Sequence, residues 1–125
     1  MSPQGKNAKK SAYRFGRIGE FVSCWYLRLS GYRIIHQDYR SASGEIDIIA
    51  RRGNIIAFVE VKARSNQDDA TLALGSTQRR RIERTAMSFL SARPELSNHD
   101  CRFDLMALSP WRWPRHLEGA WLMGE

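Results

Sequence analysis

Asp47, Glu60 and Lys62 combine residue types and spacing that match a known reaction. They follow the D-x(n)-E-x-K pattern of metal-dependent phosphodiester cleavage. Two carboxylates supply hard oxygen ligands for Mg²⁺ or Mn²⁺, and such an ion keeps positions for water and phosphate oxygens. The ion acidifies a bound water and offsets charge at the phosphorus centre. An ammonium two residues along can orient that water or meet developing charge. A D/E-x-K triplet arises by chance about once in a chain of this size. Placement raises its weight, because the triplet interrupts an apolar run beside a partner segment reading Gly44-Glu45-Ile46-Asp47.

The elements that must position these groups read as a hairpin. Residues 45–50 and 55–62 are rich in β-branched side chains, and Arg51-Arg52-Gly53-Asn54 between them suits a tight connection. A two-residue turn at Gly53-Asn54 pairs residue 52 with 55 and sets Asp47 opposite Glu60. A four-residue loop makes them diagonal neighbours. In both registers Glu45, Asp47, Glu60 and Lys62 share one face. Opposed like charges destabilise a sheet, and a shared divalent cation relieves them. Glu20 is the candidate that completes the set from the preceding helix; alone it reads as a solvated helix charge. The small residues Gly16, Gly19 and Ser23 around it permit a close approach.

The remaining chain is organised around that hairpin. Residues 1–12, with Lys6, Lys9 and Lys10, read as a flexible basic arm or a plain tail, and residues 13–125 as a single domain. A helix is expected from about Arg14 to Ser30, its apolar stripe formed by Phe15, Ile18, Phe21, Val22, Trp25, Tyr26 and Leu29, with Gly31 stopping it. Tyr32–Tyr39 reads as a strand and Arg64–Gly75 as a mobile loop over the sheet. A second helix spans about Ser76–Ala92 and is ended by Pro94. Strands follow at Cys101–Leu108 and Leu117–Leu122, with Arg102 and Asp104 on the face opposite Cys101 and Phe103. Trp111 and Trp113 read as packing residues more readily than base-stacking ones. The order α-β-β-β-α-β-β implies a mixed α/β sheet flanked by helices.

Charge points to the partner. The 125 residues carry a net charge of +7 and a pI near 10.0, although 42% hydrophobic and 26% charged content is ordinary. A polyanion fits, nucleic acid ahead of an anionic membrane surface; simple solubility is the plain alternative. Arg79, Arg80, Arg81 and Arg84 crowd the start of the second helix against its macrodipole, which suits phosphate contact or a solvated basic face. Cys24 and Cys101 read as buried, reduced thiols without zinc spacing to His36, His99 or His116. No secretory segment or long apolar run occurs, so a cytoplasmic protein with no membrane role is expected.

Gly16-Arg17-Ile18-Gly19-Glu20, Gly44-Glu45-Ile46-Asp47-Ile48-Ile49-Ala50, Phe58-Val59-Glu60-Val61-Lys62-Ala63-Arg64 and Arg102-Phe103-Asp104 resemble, in order, the signatures of the bacterial UPF0102 family. That family is similar to restriction-endonuclease-like nucleases of the PD-(D/E)-x-K type, archaeal Holliday-junction resolvases among them. The resemblance implies a restriction-endonuclease-like mixed β-sheet. It also implies metal-binding and catalytic positions at Glu20, Asp47, Glu60 and Lys62, and leaves room for a homodimer. Ile46 stands where the superfamily name has Pro, and Arg79 stands at what looks like a Lys position, which keeps charge but not point-donor geometry. The leading expectation is a Mg²⁺- or Mn²⁺-dependent endonuclease on structured DNA, with Arg17, Arg79, Arg80, Arg81 and Arg84 on the phosphates. The alternative is a nucleic-acid-binding accessory protein with the same fold and little or no turnover. A third is a basic structural domain in which Lys62 merely pairs with Glu60 or Glu45.

Overall fold

Asn54 and Gly53 make the turn that orders the sheet. Gly53 takes a left-handed φ of +60°, and Arg52 pairs with Ile55 across a two-residue connection. It joins β2 (Gly44–Arg52) to β3 (Ile55–Ala63), the tighter of the two expected registers. A second hairpin, turning at Ala42-Ser43, joins β1 (Arg33–Ser41) to β2. The computed structural model describes residues 3–125, with side chains from residue 16 onward. The expected basic arm of residues 1–12 therefore lies outside the described side chains.

The other elements are α1 (Pro3–Leu29), α2 (Gln67–Thr71), α3 (Ser76–Ser91), β4 (Asp100–Leu108) and β5 (Arg115–Trp121). The sheet runs in the order β1-β2-β3-β4-β5, antiparallel except between β3 and β4. Parallel neighbours need a long crossover, and here residues 64–99 supply it through α2 and α3. This is the expected open mixed sheet flanked by helices, consistent with a restriction-endonuclease-like fold. The loop of residues 64–75 is partly helical rather than irregular. Asn66 caps α2 by accepting from the Asp69 amide at 2.8 Å.

Alternation along the strands splits the core in two. Ile46, Ile49, Ile56, Phe58, Phe103 and Trp121 pack with Ile82, Ala86 and Phe89 of α3. Ile48, Ala50, Ala57, Val59, Met106 and Leu108 pack with Cys24 and Leu27 of α1.

Helix α1 corrects the expectation in two ways. It begins at Pro3 rather than near Arg14, and it turns a different face inward. Gly19, Ser23, Cys24 and Leu27 are buried, whereas Ile18, Phe21, Trp25 and Leu29 stay exposed. Small side chains let the helix lie close to the sheet, and a Cβ on Gly19 would meet Leu108 Cδ1 at 3.1 Å. The bulky stripe is thereby turned to solvent. Two further corrections concern the strands. Cys101 is exposed, as the second residue of β4 at the sheet's end, while Cys24 is buried as expected. Trp111 and Trp113 are exposed rather than packed, and Trp121 is the tryptophan that fills the core.

Candidate metal centre

The β2–β3 ladder ends at Ile48↔Val59, and the strands part there. Ile46 and Ile48 enter opposite core clusters, so β2 breaks its alternation at Asp47. Asp47 takes the place of the missing ladder bond. Its Oδ2 accepts from the Val61 amide at 2.8 Å. The side chain is thereby fixed beside residues 60–62 while facing the α1 side as well.

On that side Glu20, Asp38 and Asp47 each offer a carboxylate oxygen, all within 4.8 Å of one another. They come from α1, β1 and β2. They line a cavity of about 230 Å³ together with Arg17 and Arg40. Burial pushes the Glu20 carboxyl up to about 8, helped by a hydrogen bond with Asp38 and the charge of Asp47. Asp47 is also raised, chiefly by burial, although the Val61 amide and Lys62 favour its ionised form.

On the other side stand Glu60 and Lys62. They alternate with Val59 and Val61, which pack toward α1, so both point to the α3 layer. Lys62 Nζ lies 3.6 Å from Glu60 Oε1, and Gln78 Nε2 of α3 donates to the same oxygen at 2.8 Å. Burial, then the neighbouring Asp47, raises Glu60 to about 8 despite Lys62. Asp47 is thus the shared member of two groups. Glu20 and Asp47 come together as the sequence led us to expect, while Glu60 and Lys62 form the adjoining pair. Glu45 lines the same cavity as Asp47 while pairing with Arg40 at 3.2 Å, so the four charges do not share the one face expected, because β2 breaks its alternation at Asp47.

Asp38 and Gln78 were missed by the sequence reading. Gln37↔Ile48 and Tyr39↔Ile46 flank Asp38, which places it opposite Asp47. Its φ of 52° is a left-handed value that Asp tolerates better than most residues. Counting back from an Ala42-Ser43 turn finds this pairing from sequence. Nothing in the sequence signals Gln78.

The arginines divide by exposure. Arg80, Arg81 and Arg84 are exposed on α3, whereas Arg79 is half-buried and its Nε meets no partner among the described residues. Arg81 and Arg40 line a larger cavity of about 700 Å³ beside the start of α3. Gly44 makes this approach feasible, since a Cβ there would lie 3.3 Å from Thr85 Oγ1 and 3.6 Å from Arg81 Cβ.

Asp104 anchors a separate, structural network on the far half of the sheet. It is fully buried, accepts two bonds from Arg102 at 2.8 Å, bonds His116 Nε2 at 2.8 Å and accepts from the Gly119 amide at 2.9 Å. These partners keep its carboxyl below the usual range even though burial opposes ionisation. Arg102 also reaches the Tyr32 hydroxyl and Glu118.

A five-stranded mixed sheet that parts over carboxylates from three elements defines an α/β protein with a candidate divalent-cation centre. The family described as Uncharacterised protein family UPF0102 matches residues 19–108, a span that holds Glu20, Asp38, Asp47, Glu60 and Lys62. The chain belongs to that family. It is 45% identical over 118 residues to a UPF0102 protein of Paramagnetospirillum magneticum, covering 91% of this chain and 92% of the relative. It is 43% identical over 120 residues to one of Mesorhizobium japonicum, covering 96% of each, and 47% identical over 112 residues to one of Sinorhizobium medicae, covering 90% and 92%. No helix among the described residues is long and apolar enough to cross a membrane.

Proposed function

We propose that this chain is a divalent-metal-dependent endonuclease that hydrolyses phosphodiester bonds in structured DNA. The observation that carries the reading is the convergence of Glu20, Asp38 and Asp47 within 4.8 Å, with the Glu60–Lys62 pair alongside. An all-carboxylate donor set suits a hard cation such as Mg²⁺ or Mn²⁺ and does not suit a soft one. Carboxyls pushed up to about 8 by burial and mutual charge fit the same picture, because a cation supplies the missing counter-charge.

Glu20, Asp38 and Asp47 would hold the cation, with Glu60 contributing from β3. When bound, the ion would polarise a phosphate oxygen and acidify a water. Lys62 presents its ammonium beside Glu60, where it can orient the attacking water or meet charge on the phosphate. An ammonium only donates, so it acts on oxygen and not on the metal. Phosphates of the duplex would lie along Arg80, Arg81 and Arg84, with Arg79 and Arg17 nearer the site; the net charge of +7 supports such a partner.

One contact favours the second reading, a DNA-binding accessory protein with little turnover. Glu60 Oε1 is engaged by both Lys62 and Gln78, which stabilises the pair without a metal. Incubating the protein with branched, flapped and linear DNA, with and without Mg²⁺ or Mn²⁺, separates the two. Metal-dependent cleavage that disappears in Asp47→Ala supports the nuclease. Binding without cleavage on every substrate supports the accessory protein.

A further inference from the structure

The residues that the fold turns outward gather where α1 meets the β4–β5 connection. Val22 and Trp25 of α1 line a cavity of about 340 Å³ with Trp111, Arg112, Trp113 and Pro114. Trp111 is 101% exposed and Trp113 74%, while Phe21 and Trp25 on the helix are 72% and 49% exposed. Large aromatic side chains left this open usually mark a binding surface.

The connection is built to hold them out. Pro110 and Pro114 bracket Trp111-Arg112-Trp113, and proline fixes φ at both ends. Trp111 adopts a left-handed φ of 64°, a strained conformation for a bulky residue that the surrounding turn must hold in place. Gln67 of α2 ties the loop down by donating to the Trp113 carbonyl. Arg112 separates the two indoles, and Arg28 lies one turn along α1 from Trp25.

Aromatic faces interleaved with cations fit one class of occupant best. We infer that this surface is a stacking platform for the bases of a single-stranded nucleic-acid segment, with Arg112 and Arg28 meeting its phosphates. Every base presents a π-face, so such a platform binds without sequence preference. A second copy of this chain fits less well. It would carry another +7 charge toward the surface and strip water from Arg112. The inference rests on the nucleic-acid reading above and extends it, since it assigns the substrate an unpaired segment beside the cleaved bond. Continuity with the site comes through α1, where Glu20 and Phe21 are consecutive and Arg17 lines the acidic cavity.

The test measures binding in EDTA, so that it does not depend on cleavage. Short oligothymidylate and a duplex of equal length are titrated into the full chain, read by tryptophan quenching and by anisotropy of a labelled strand. The single strand should quench the exposed indoles. Trp111→Ala/Trp113→Ala should weaken its binding about 10- to 100-fold, the scale of losing one or two stacked bases, while duplex affinity and the melting curve hold. Equal loss on single strand and duplex, or no loss on either, would overturn the platform. So would a wild type that sediments as a dimer and becomes monomeric in the variant. Cleavage assays separate this result from the nuclease reading: no cleavage together with tryptophan-dependent binding removes only the nuclease, and cleavage with tryptophan-independent binding removes only the platform.

Discussion

Replacing Asp47 by Asn should make the metal-free protein more stable, and the structure sets the size of the gain. Asn keeps an oxygen for the Val61 amide, which Asp47 accepts at 2.8 Å, so the change removes a charge that Glu20 and Glu60 repel and that Lys62 partly offsets. A carboxylate oxygen of Glu20 lies within 4.8 Å of one on Asp47. Unit charges at that distance repel by about 1 kcal/mol in water and about 3–4 kcal/mol at an effective dielectric near 20. Glu20 is partly exposed, so solvent screening favours the lower end, about 1–2 kcal/mol once pH is high enough, above about 8, for Glu20 to be ionised. For a domain of this size that is a rise in melting temperature of about 3–10 °C.

The pH dependence carries the sharper test. Glu20 and Glu60 titrate near 8 in the fold and near 4.5 when unfolded. The unfolded chain therefore binds fewer protons between those values, and wild-type stability falls as pH rises through that window. Removing the Asp47 charge lowers both folded values and flattens the fall. The variant's advantage should be small at about pH 5 and largest at about pH 8.5. Thermal melts of both proteins in EDTA across that range make the measurement, and Mn²⁺ should then reverse the order by stabilising only the wild type. An Asp47→Asn protein that melts lower at high pH without metal, or a gap that ignores pH, refutes the reasoning.

Lys62→Ala should keep Mn²⁺ and DNA binding yet cut about 10²–10³-fold more slowly, with Gln78 still bonded to Glu60; a loss of about 3–5 kcal/mol in stability would instead make Lys62 a structural partner. Calorimetry in buffers of different ionisation heat should show protons released as Mn²⁺ binds near neutral pH, because Glu20 and Glu60 hold theirs up to about 8. No release would place the metal elsewhere. Replacing Arg79, Arg80 and Arg81 together should flatten the salt dependence of DNA affinity by about 2–3 units, and an unchanged slope would reduce the cluster to a solvated face. Asp104→Ala should lower stability by about 3–5 kcal/mol in a denaturant melt, since it strands Arg102 and His116 at half-buried positions.

Local signals carried most of the fold into view from sequence. Gly53-Asn54 between two β-branched runs has few alternatives to a tight hairpin, and that turn sets every register through Val59. Pro94 and Gly31 mark helix ends by stereochemistry. The misses share a cause in competition between elements. Helical spacing on α1 offers two faces, a bulky one and a small one, and only the sheet's geometry decides that Gly19 and Ser23 go inward. Trp111 and Trp113 look like core by composition, but the structure leaves both exposed beside α1 and fills the α3-side core with Trp121 stacked on Phe103. Of the site, Asp47, Glu60 and Lys62 were legible because charges inside apolar strands are costly. Asp38 sits exposed on the edge strand β1, where an acid costs little, so only its pairing opposite Asp47 could have singled it out. Gln78 meets Glu60 only through the long crossover that carries α3 back across the sheet.

Glu20 rides on a helix whose height above the sheet is set one residue earlier. With Leu108 Cδ1 at 3.1 Å from where a Gly19 Cβ would stand, no methyl fits between the layers unless one of them yields by tenths of an ångström. The carboxylates of Asp38 and Asp47 belong to the sheet, so the span between them and Glu20 is the interlayer clearance itself. Gly19, Val61 and Leu108, none of them able to touch an ion, therefore set the spacing of the three carboxylates. In the proposed metal site, a bulkier residue at any of these three positions would widen that spacing and favour a larger cation with every carboxylate unchanged.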